Sequence, residues 1–492
     1  MSKFYTILAT VVLGIMLPSC AGFLDQKPSD STLSIEAITT PADAQVALNG
    51  AFRAMSNFSY YGRQFLLYAD FKGGDMTPPS LGLGNDALFT FIHNFNMSNF
   101  GEYWNIMYYV ILQSNNLLAA LDEDLVKIVS ESDQTAVNNI KGQALFVRAL
   151  AHFDLVRIYG YPYLKDNGAS PGAAIVTEVL NAKDQLVRNT VAEVYTQVIQ
   201  DLTQASTLMS KSKIELGANY YAAKGLLARV YLYKGDWDNA YSNAVEVINS
   251  GMYQLYTPEN WVESWGIDYG SESIFELPVR TGENDLAQSS PTFMLRPSYV
   301  NNGQSSLVAS KIFETLLNED PQDVRWGIMG NETTNEGHAW LVKGRLGWVR
   351  KYEKNNQTAN NLKIIRLSEM YLIAAEAALK KSAADKNTAA NYLNAIRKRS
   401  LSLAPAQAND SQLEDLILKE RRKEFLCEGH TYFDYMRLGR TVRYDQTLFP
   451  IGPEGRSLAI DWNYYKCVMP IPIYELLANP NIVQNKDYDI PL

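Results

Sequence analysis

The chain has 492 residues, of which 47% are hydrophobic and 20% are charged, and this is the composition of an ordinary globular protein with room for large cores. The formal net charge is −9 and the sequence pI is about 5.2. This acidity argues against nucleic acid as a partner, because phosphates need a basic face, and against tight electrostatic binding to anionic lipid.

The first 19 residues predict an export signal, with Lys3 ahead of an apolar run that is too short to span a membrane. A small residue followed by Cys20 at the end of this run resembles a bacterial lipobox. We therefore expect cleavage before Cys20 and lipidation of its thiol, with a plain secretory signal cut near Ala21 or Gly22 as the alternative. Residues 20–42 then form a lipidated tether. No later apolar run reaches spanning length, so the mature protein is expected to be anchored rather than inserted.

Apolar residues at helical spacing predict a series of helices after the tether. The first starts at Pro41 and places Ala44, Ala47 and Leu48 on one face. The segment 57–101, which is rich in glycine, asparagine and aromatic residues, is predicted to be a loop with short strands or turns. The later helices are predicted over residues 103–121, 135–159, 190–209, 219–234, 236–248, 364–380 and 386–400.

Two pairs of these helices, within 219–248 and 364–400, carry small residues where one helix would approach the other closely, as in tetratricopeptide units. Such pairs are scattered along the chain rather than in tandem. We predict a mainly α fold in which tetratricopeptide-like helix pairs form a scaffold and an irregular, loop-rich subdomain binds the ligand.

The chain is predicted to divide into three regions after the tether. A helical N-terminal region covers residues 43–251, a loop-rich insertion covers 252–360, and a C-terminal region covers 361–492. Within the insertion the helical pattern is poor, and short strands are expected at 273–277 and 348–352.

The stretch 413–440 predicts a charged helix, a break at Gly429 and a short second helix. Glu420 and Glu424 fall on the apolar face of the first helix, where a carboxylate needs a charged partner. The partners expected for them in a structural ion network are Arg421, Arg422 and Arg437. The alternative is that the two carboxylates are the acids of a surface glycoside hydrolase. We favour the network, because acids on adjacent turns of one helix point the same way and neighbouring arginines would keep both ionised.

The sequence contains none of the common metal or cofactor motifs. Its four histidines lie far apart, and it has no HExxH, paired CxxC, EF-hand, P-loop, Rossmann or GxSxG pattern. We predict no catalytic metal site and no cofactor. Besides Cys20 the chain has Cys427 and Cys467. A disulfide between them is one option, but two buried thiols are favoured because Cys427 falls on the apolar helix face.

Aromatic residues in loops give a stronger functional signal, because rings outside the helical periodicity cannot all belong to the core. Sugars have apolar faces that stack on flat rings, and their hydroxyls bind amides, carboxylates and arginines. Any one of these rings could pack inside the protein, and the prediction is that some of them line a binding face. The candidate ligand-binding residues are Tyr60, Tyr61, Trp261, Trp265, Tyr269, Tyr299, Trp340 and Trp348, and Phe58 shares the pattern.

Several segments, in order along the chain, resemble the SusD/RagB family of Bacteroidetes surface lipoproteins. One is the lipidated start from Cys20, and another is the signature that runs from Glu420 to His430 and continues with Asp434 and Arg437. The other matching segments are 142–160, 369–377, 393–399, 470–472, 479–480 and 484–485.

The resemblance implies a non-enzymatic capture protein on the outer membrane, held there through its N-terminal lipid. Members of this family bind oligosaccharides, or in some cases peptides, and pass them to a SusC-like TonB-dependent transporter. The family fold is mainly helical, with tetratricopeptide-like pairs and ligand-bearing loops. The ligand residues of the family vary, so no residue of this chain is assigned by the resemblance. Capture of a peptide and a surface hydrolase that uses Glu420 and Glu424 remain the alternatives.

Overall fold

The fold is seen in a computed structural model of the chain. The residues that the structure describes are 35–78, 86–96, 98–181, 184–279, 291–295, 307–330, 346–352, 360–444 and 459–488.

The described residues are mainly α-helical. The helices, numbered in chain order, are α1 (Pro41–Met55), α2 (Gln64–Gly73), α3 (Asp86–Thr90), α4 (Ser98–Asp122), α5 (Glu131–Tyr159), α6 (Tyr163–Asp166), α7 (Val191–Leu208), α8 (Tyr220–Lys234), α9 (Trp237–Asn249), α10 (Pro291–Leu295), α11 (Lys311–Leu317), α12 (Leu367–Lys380), α13 (Lys386–Arg397), α14 (Leu413–Glu424), α15 (Thr431–Arg437) and α16 (Ile473–Ala478). The strands are β1 (Met76–Thr77), β2 (Ser273–Leu277), β3 (Val308–Ala309), β4 (Met329–Gly330), β5 (Leu346–Val349), β6 (Leu362–Arg366), β7 (Val442–Arg443) and β8 (Ala459–Ile460).

Local sequence signals explain where the helices begin. The Thr40 side chain accepts a hydrogen bond from the backbone of Asp43, whose carboxylate reaches back to the backbone of Thr40, and Pro41 occupies the first turn of α1. The same reciprocal cap joins Thr190 to Glu193 at the start of α7. These boundaries are therefore close to the predicted ones, since capping chemistry is readable from the sequence.

The helices that the sequence predicted as separate pairs form a continuous array in space. Helix α4 packs on α5, α5 on α7, α7 on α8, and α8 on α9. Helix α9 packs next on α12, and α12 on α13, although the segment 250–366 separates α9 from α12 in the chain. Gly235, with a φ of 78°, forms the turn between α8 and α9. The scaffold is therefore a continuous series of packed helices that is interrupted only in sequence.

The strands form small antiparallel ladders rather than a large sheet. Strand β1 pairs with β3, β2 with β6, β4 with β5, and β7 with β8. Strand β2 confirms the predicted strand 273–277, while the predicted strand 348–352 corresponds in part to β5. The helix predicted from residue 364 begins instead at Leu367, because Leu362–Arg366 pairs with β2 and is a fully buried strand.

The prediction of a loop over 57–101 is wrong for α2. All ten residues of α2 are buried, including Asp70 and Lys72. A helix surrounded by protein on every side has no polar face, so the amphipathic period that would reveal it in the sequence is absent. The other elements of this segment are the short helix α3, the short strand β1 and the start of α4, which begins at Ser98 rather than at the predicted residue 103.

Two of the three cysteines lie in the described part of the chain. Cys427 and Cys467 are both free and buried, as predicted. None of the helices in the described part of the chain combines the length and the apolar character needed to cross a bilayer.

Candidate functional site

Glu420 and Glu424 form the centre of a buried ion network. Both are fully buried on α14, as their place on the apolar face predicted. Glu420 Oε1 lies 2.7 Å from Arg325 Nη1. Glu424 Oε1 accepts a hydrogen bond of 2.9 Å from Arg366 Nη2 and also pairs with Arg399. Burial alone would raise the pKa of Glu424, but the surrounding arginines outweigh it and hold the pKa far below its ordinary value.

The prediction that Arg421, Arg422 and Arg437 are the partners of these two carboxylates is wrong. Successive residues of a helix point about 100° apart, so Arg421 and Arg422 leave α14 on other faces than Glu420. The three arginines bind other acids: Arg421 binds Asp434, Arg422 binds Asp75, and Arg437 binds both Asp434 and Glu376.

The ion network connects distant parts of the chain. Lys351, which follows β5, donates to the backbone oxygens of Glu424 and Leu426 at 2.9 and 2.8 Å and to Glu428 Oε1 at 2.7 Å. Glu272, just ahead of β2, accepts a hydrogen bond of 2.8 Å from Arg366. This arrangement clamps segments of the predicted insertion to α14. The acids of this network face arginines in a sealed interior and do not line a cleft. This arrangement fits a structural role, whereas the acids of a hydrolase must reach a substrate.

Trp261 and Trp265 belong to this clamp and not to a binding face. The two residues are 0% and 4% exposed. Lys351 Nζ lies 4.4 Å from the ring centroid of Trp265, and Arg399 Cζ lies 5.4 Å from that of Trp261. The rings therefore cover buried cations through cation–π contacts. Both tryptophans lie in a part of the sequence without helical periodicity, which suggested that their rings are exposed. The ion network forms a second buried core there.

Tyr60 and Tyr61 are also buried, so the structure does not place them on a binding face. Their hydroxyls both donate to Asp154 Oδ2, at 2.6 and 2.7 Å. Asp154 pairs in addition with Arg157 of the same helix. A loop tyrosine with a carboxylate partner can thus be a core residue, and its sequence context does not reveal this.

Tyr299 and Trp340 lie outside the described residues, and so does the side chain of Trp348 in β5. Their role stays a prediction. Among the candidates with described side chains, Tyr269 is half-buried and keeps contact with solvent. Burial raises the pKa of its hydroxyl to about 12.

Polar groups surround Tyr269. Its backbone N–H donates to Glu276 Oε2 at 2.9 Å, and its carbonyl accepts from Lys213 Nζ at 2.8 Å. The same carboxylate oxygen of Glu276 accepts from Asn361 Nδ2 at 3.1 Å. Its other oxygen, Oε1, is buried, lies 3.4 Å from Lys363 Nζ, and receives no hydrogen bond from the part of the chain that the structure describes.

Glu276 also lines an open cleft of about 400 Å³. The cleft lies between α1, the connection from α7 to α8, and the end of β2. We call it the Glu276 cleft; its lining includes Asn49, Phe52, Arg53, Leu216, Glu276 and Pro278. Apolar surface from Phe52, Leu216 and Pro278 lines the cleft beside the carboxylate of Glu276, whose buried Oε1 is paired with Lys363. This combination fits a ligand that has both an apolar face and hydrogen-bond donors, such as a sugar ring.

Comparisons with known proteins identify the family. A family model described as starch-binding associating with outer membrane matches residues 23–232, and the SusD family model matches residues 327–488. The SusD-like protein P2 of Formosa agariphila is 25% identical, over 96% of this chain and 98% of its own length. The structure of a SusD superfamily protein from Bacteroides thetaiotaomicron is 34% identical with a TM-score of 0.83, over 91% of this chain and 100% of that one. The chain belongs to the SusD family.

A second SusD superfamily structure, from Bacteroides vulgatus, is 32% identical with the same TM-score of 0.83 and covers 92% of this chain and all of that chain. The resemblance drawn from the sequence and the mainly helical fold are thereby confirmed. The family-model description associates SusD proteins of this type with starch binding and with the outer membrane. The names of these relatives describe no enzyme.

The Glu276 cleft of this SusD chain was not predicted from the sequence. Glu276 lies in the predicted strand 273–277. Side chains alternate between the two faces of a strand, and this alternation alone does not decide whether Glu276 points outward or inward. All five residues of β2 are in fact buried. The signal that could have found Glu276 is a lone carboxylate in an otherwise apolar strand, because such a group needs a partner.

Proposed function

We propose that this protein binds oligosaccharides without turning them over and passes them to a SusC-like TonB-dependent transporter of the outer membrane. The observation that carries the proposal is the Glu276 cleft, in which a carboxylate acceptor stands beside apolar surface in a member of a family described by starch binding. A pyranose ring would lay its apolar face on Leu216 and Phe52 and turn its hydroxyls toward the polar side of the lining, where Asn49 and Glu276 lie.

The proposed place of action is the cell surface. Lipidation of Cys20 would hold the mature chain on the outer membrane, and the tether would give it reach toward a transporter. The description of the matching family model supports an outer-membrane association. Tyr299, Trp340 and Trp348 remain proposed ligand residues alongside Tyr269.

The binding proposal is tested by isothermal titration of the mature chain from residue 21 with a panel of neutral oligosaccharides. Glu276→Gln should weaken binding at least tenfold, since the amide replaces one acceptor oxygen with a donor. Tyr109→Phe on the exposed face of α4 is the control and should leave the affinity unchanged. Alanine variants of Tyr269, Tyr299, Trp340 and Trp348 test each predicted ring separately. Tight binding of peptides with no saccharide binding would overturn the proposal in favour of a peptide-capturing member.

The transporter proposal needs a separate measurement. The full-length chain, tagged at its C-terminus and solubilised from outer membranes in detergent, should carry a TonB-dependent transporter with it. Cys20→Ala should move the protein out of the membrane fraction. If the tagged chain were recovered from the solubilised outer membranes without a transporter, the partnership would be contradicted. The saccharide measurement would be unaffected.

A further inference from the structure

Arg63 differs from the other buried arginines of the described chain. Seven of the eight arginines with less than a tenth of their surface exposed form an ion pair with a carboxylate: Arg148, Arg229, Arg325, Arg366, Arg399, Arg421 and Arg437. Arg63 is 8% exposed, and no carboxylate or carbonyl of the described residues pairs with it. Its Nε is sealed from solvent without any hydrogen-bond partner. Its two terminal nitrogens are not sealed and bind no acceptor among the described residues, so an anion can reach them.

The guanidinium of Arg63 is held in a fixed orientation. Its Cζ lies 3.5 Å from the ring centroid of Phe58, so the planar group stacks on the ring. The next residue, Gln64, accepts a hydrogen bond of 3.2 Å at its carbonyl from the hydroxyl of Tyr103 on α4. The ring of Phe58 therefore orients the guanidinium of Arg63, and the hydrogen bond from Tyr103 holds the backbone next to it. A stacked guanidinium is preorganised for a planar or tetrahedral anion.

The groups that interact electrostatically with Arg63 lie in the first two turns of α4. Glu102 and Tyr103 both interact electrostatically with Arg63, but burial outweighs them and lowers the pKa of the guanidinium to about 10. The carboxylate of Glu102 accepts a hydrogen bond of 2.6 Å from Ser59 Oγ instead of pairing with Arg63.

We propose that Arg63, stacked on Phe58, is a subsite for the carboxylate or sulfate group of an acidic oligosaccharide. The proposal rests on the proposed function, because it takes the ligand to be a saccharide. It adds that the preferred saccharide carries a negative charge. The anionic oxygens would accept from the two terminal nitrogens of the guanidinium, since Nε is sealed. The aromatic ring below orients the guanidinium and needs no contact with the sugar.

The test compares three oligosaccharide sets of matched length: neutral, uronate-containing and sulfated. Titration of the mature wild-type chain should give at least tenfold tighter binding for one of the two acidic sets than for the neutral set, and this preference should shrink as salt is added. Arg63→Gln should abolish the preference and change the affinity for neutral sugars less than twofold. Arg440→Gln, which removes an exposed cation at the end of α15, is the matched control and should preserve it.

A second variant tests the same site in the opposite direction. Glu102→Gln removes the nearby negative charge without touching Arg63, so it should strengthen acidic binding several-fold. This variant keeps the proposal testable if Arg63→Gln fails to fold. Equal affinities for acidic and neutral saccharides in the wild-type chain would overturn the subsite. Acidic peptides that bind through Arg63 where acidic saccharides do not would also overturn it. Absence of binding to any saccharide would instead count against the proposed function.

Discussion

Arg366 Nη2 and Glu424 Oε1 lie 2.9 Å apart in the interior, although 58 positions separate the two residues in the chain. Arg366 is the last residue of β6 and Glu424 is the last residue of α14. This contact therefore joins the ladder of β2 and β6 to α14. Arg366 also binds Glu272 and Glu428. The highly charged helix α14 is therefore the place at which several segments of the chain meet.

The first prediction concerns the charge of Glu424. Glu424→Gln removes a negative charge that faces Arg366, Arg399 and Arg325, and leaves these cations without full compensation. We expect the free energy of unfolding to fall by roughly 3–5 kcal/mol. Chemical denaturation measures this. Glu414, on the same helix as Glu424, forms a half-exposed pair with Lys380 of α12, and Glu414→Gln should cost less than about 1 kcal/mol. Equal losses in the two variants would show that burial of the pair does not matter.

The sequence predicted the helical scaffold well because capping and amphipathic spacing are local. Pro41 and Thr190 mark helix starts that the structure confirms. It could not predict α2, which is buried on all sides, nor the partners of Glu420, since Arg325 comes from another region of the chain. Long-range pairing depends on how segments pack, and one sequence carries no record of that. The Glu276 cleft was missed for the same reason, because α1, β2 and Leu216 meet only in the fold.

The second prediction separates structural from ligand-binding aromatic residues. Trp265 is buried against Lys351, whereas Tyr269 is half-buried beside Glu276. Trp265→Ala should lower the free energy of unfolding by about 3–5 kcal/mol because it opens a cavity and uncovers a cation. Oligosaccharide affinity, measured where the variant is still folded, should not change. Tyr269→Ala should show the reverse pattern. Weakened binding in Trp265→Ala at full stability would return Trp265 to the list of ligand residues.

The third prediction concerns pH and Asp70. Asp70 is fully buried on α2, its Oδ2 has no hydrogen-bond partner in the described chain, and Lys351, Asp75 and Glu428 are the charged groups that face it. Burial raises the pKa of Asp70 from 3.8 to about 8. Between these two values the unfolded chain has lost the proton while the folded chain keeps it. The free energy of unfolding therefore falls as pH rises through this window, by at most an amount on the order of 5 kcal/mol.

Asp70→Asn keeps the shape of the side chain and removes the titration. The amide oxygen can still accept the hydrogen bond that the N–H of Cys427 donates to Asp70 Oδ1 at 3.0 Å. We expect the variant to gain thermal stability over the wild type, and to gain more at about pH 8 than at about pH 5. Melting curves across this range measure the difference. A constant difference at all pH values would show that Asp70 does not titrate in the fold.

The last prediction concerns the acid limit of stability. Arg437 Nη1 and Nη2 donate to the two oxygens of Glu376 at 2.6 and 2.7 Å, and both residues are buried. Burial would raise the pKa of Glu376, but Arg437 and its hydrogen bonds outweigh this and lower it from 4.5 to about 2. The stability from this pair is present above the unfolded value and is lost as pH falls from 4.5 toward 2. This stability is worth roughly 3 kcal/mol.

Glu376→Gln should be less stable than the wild type at neutral pH, because Arg437 loses a charged partner, and should lose less stability on acidification. Urea titrations at about pH 3 and about pH 6 would detect both effects, and an identical acid loss in the two proteins would assign it to other carboxylates.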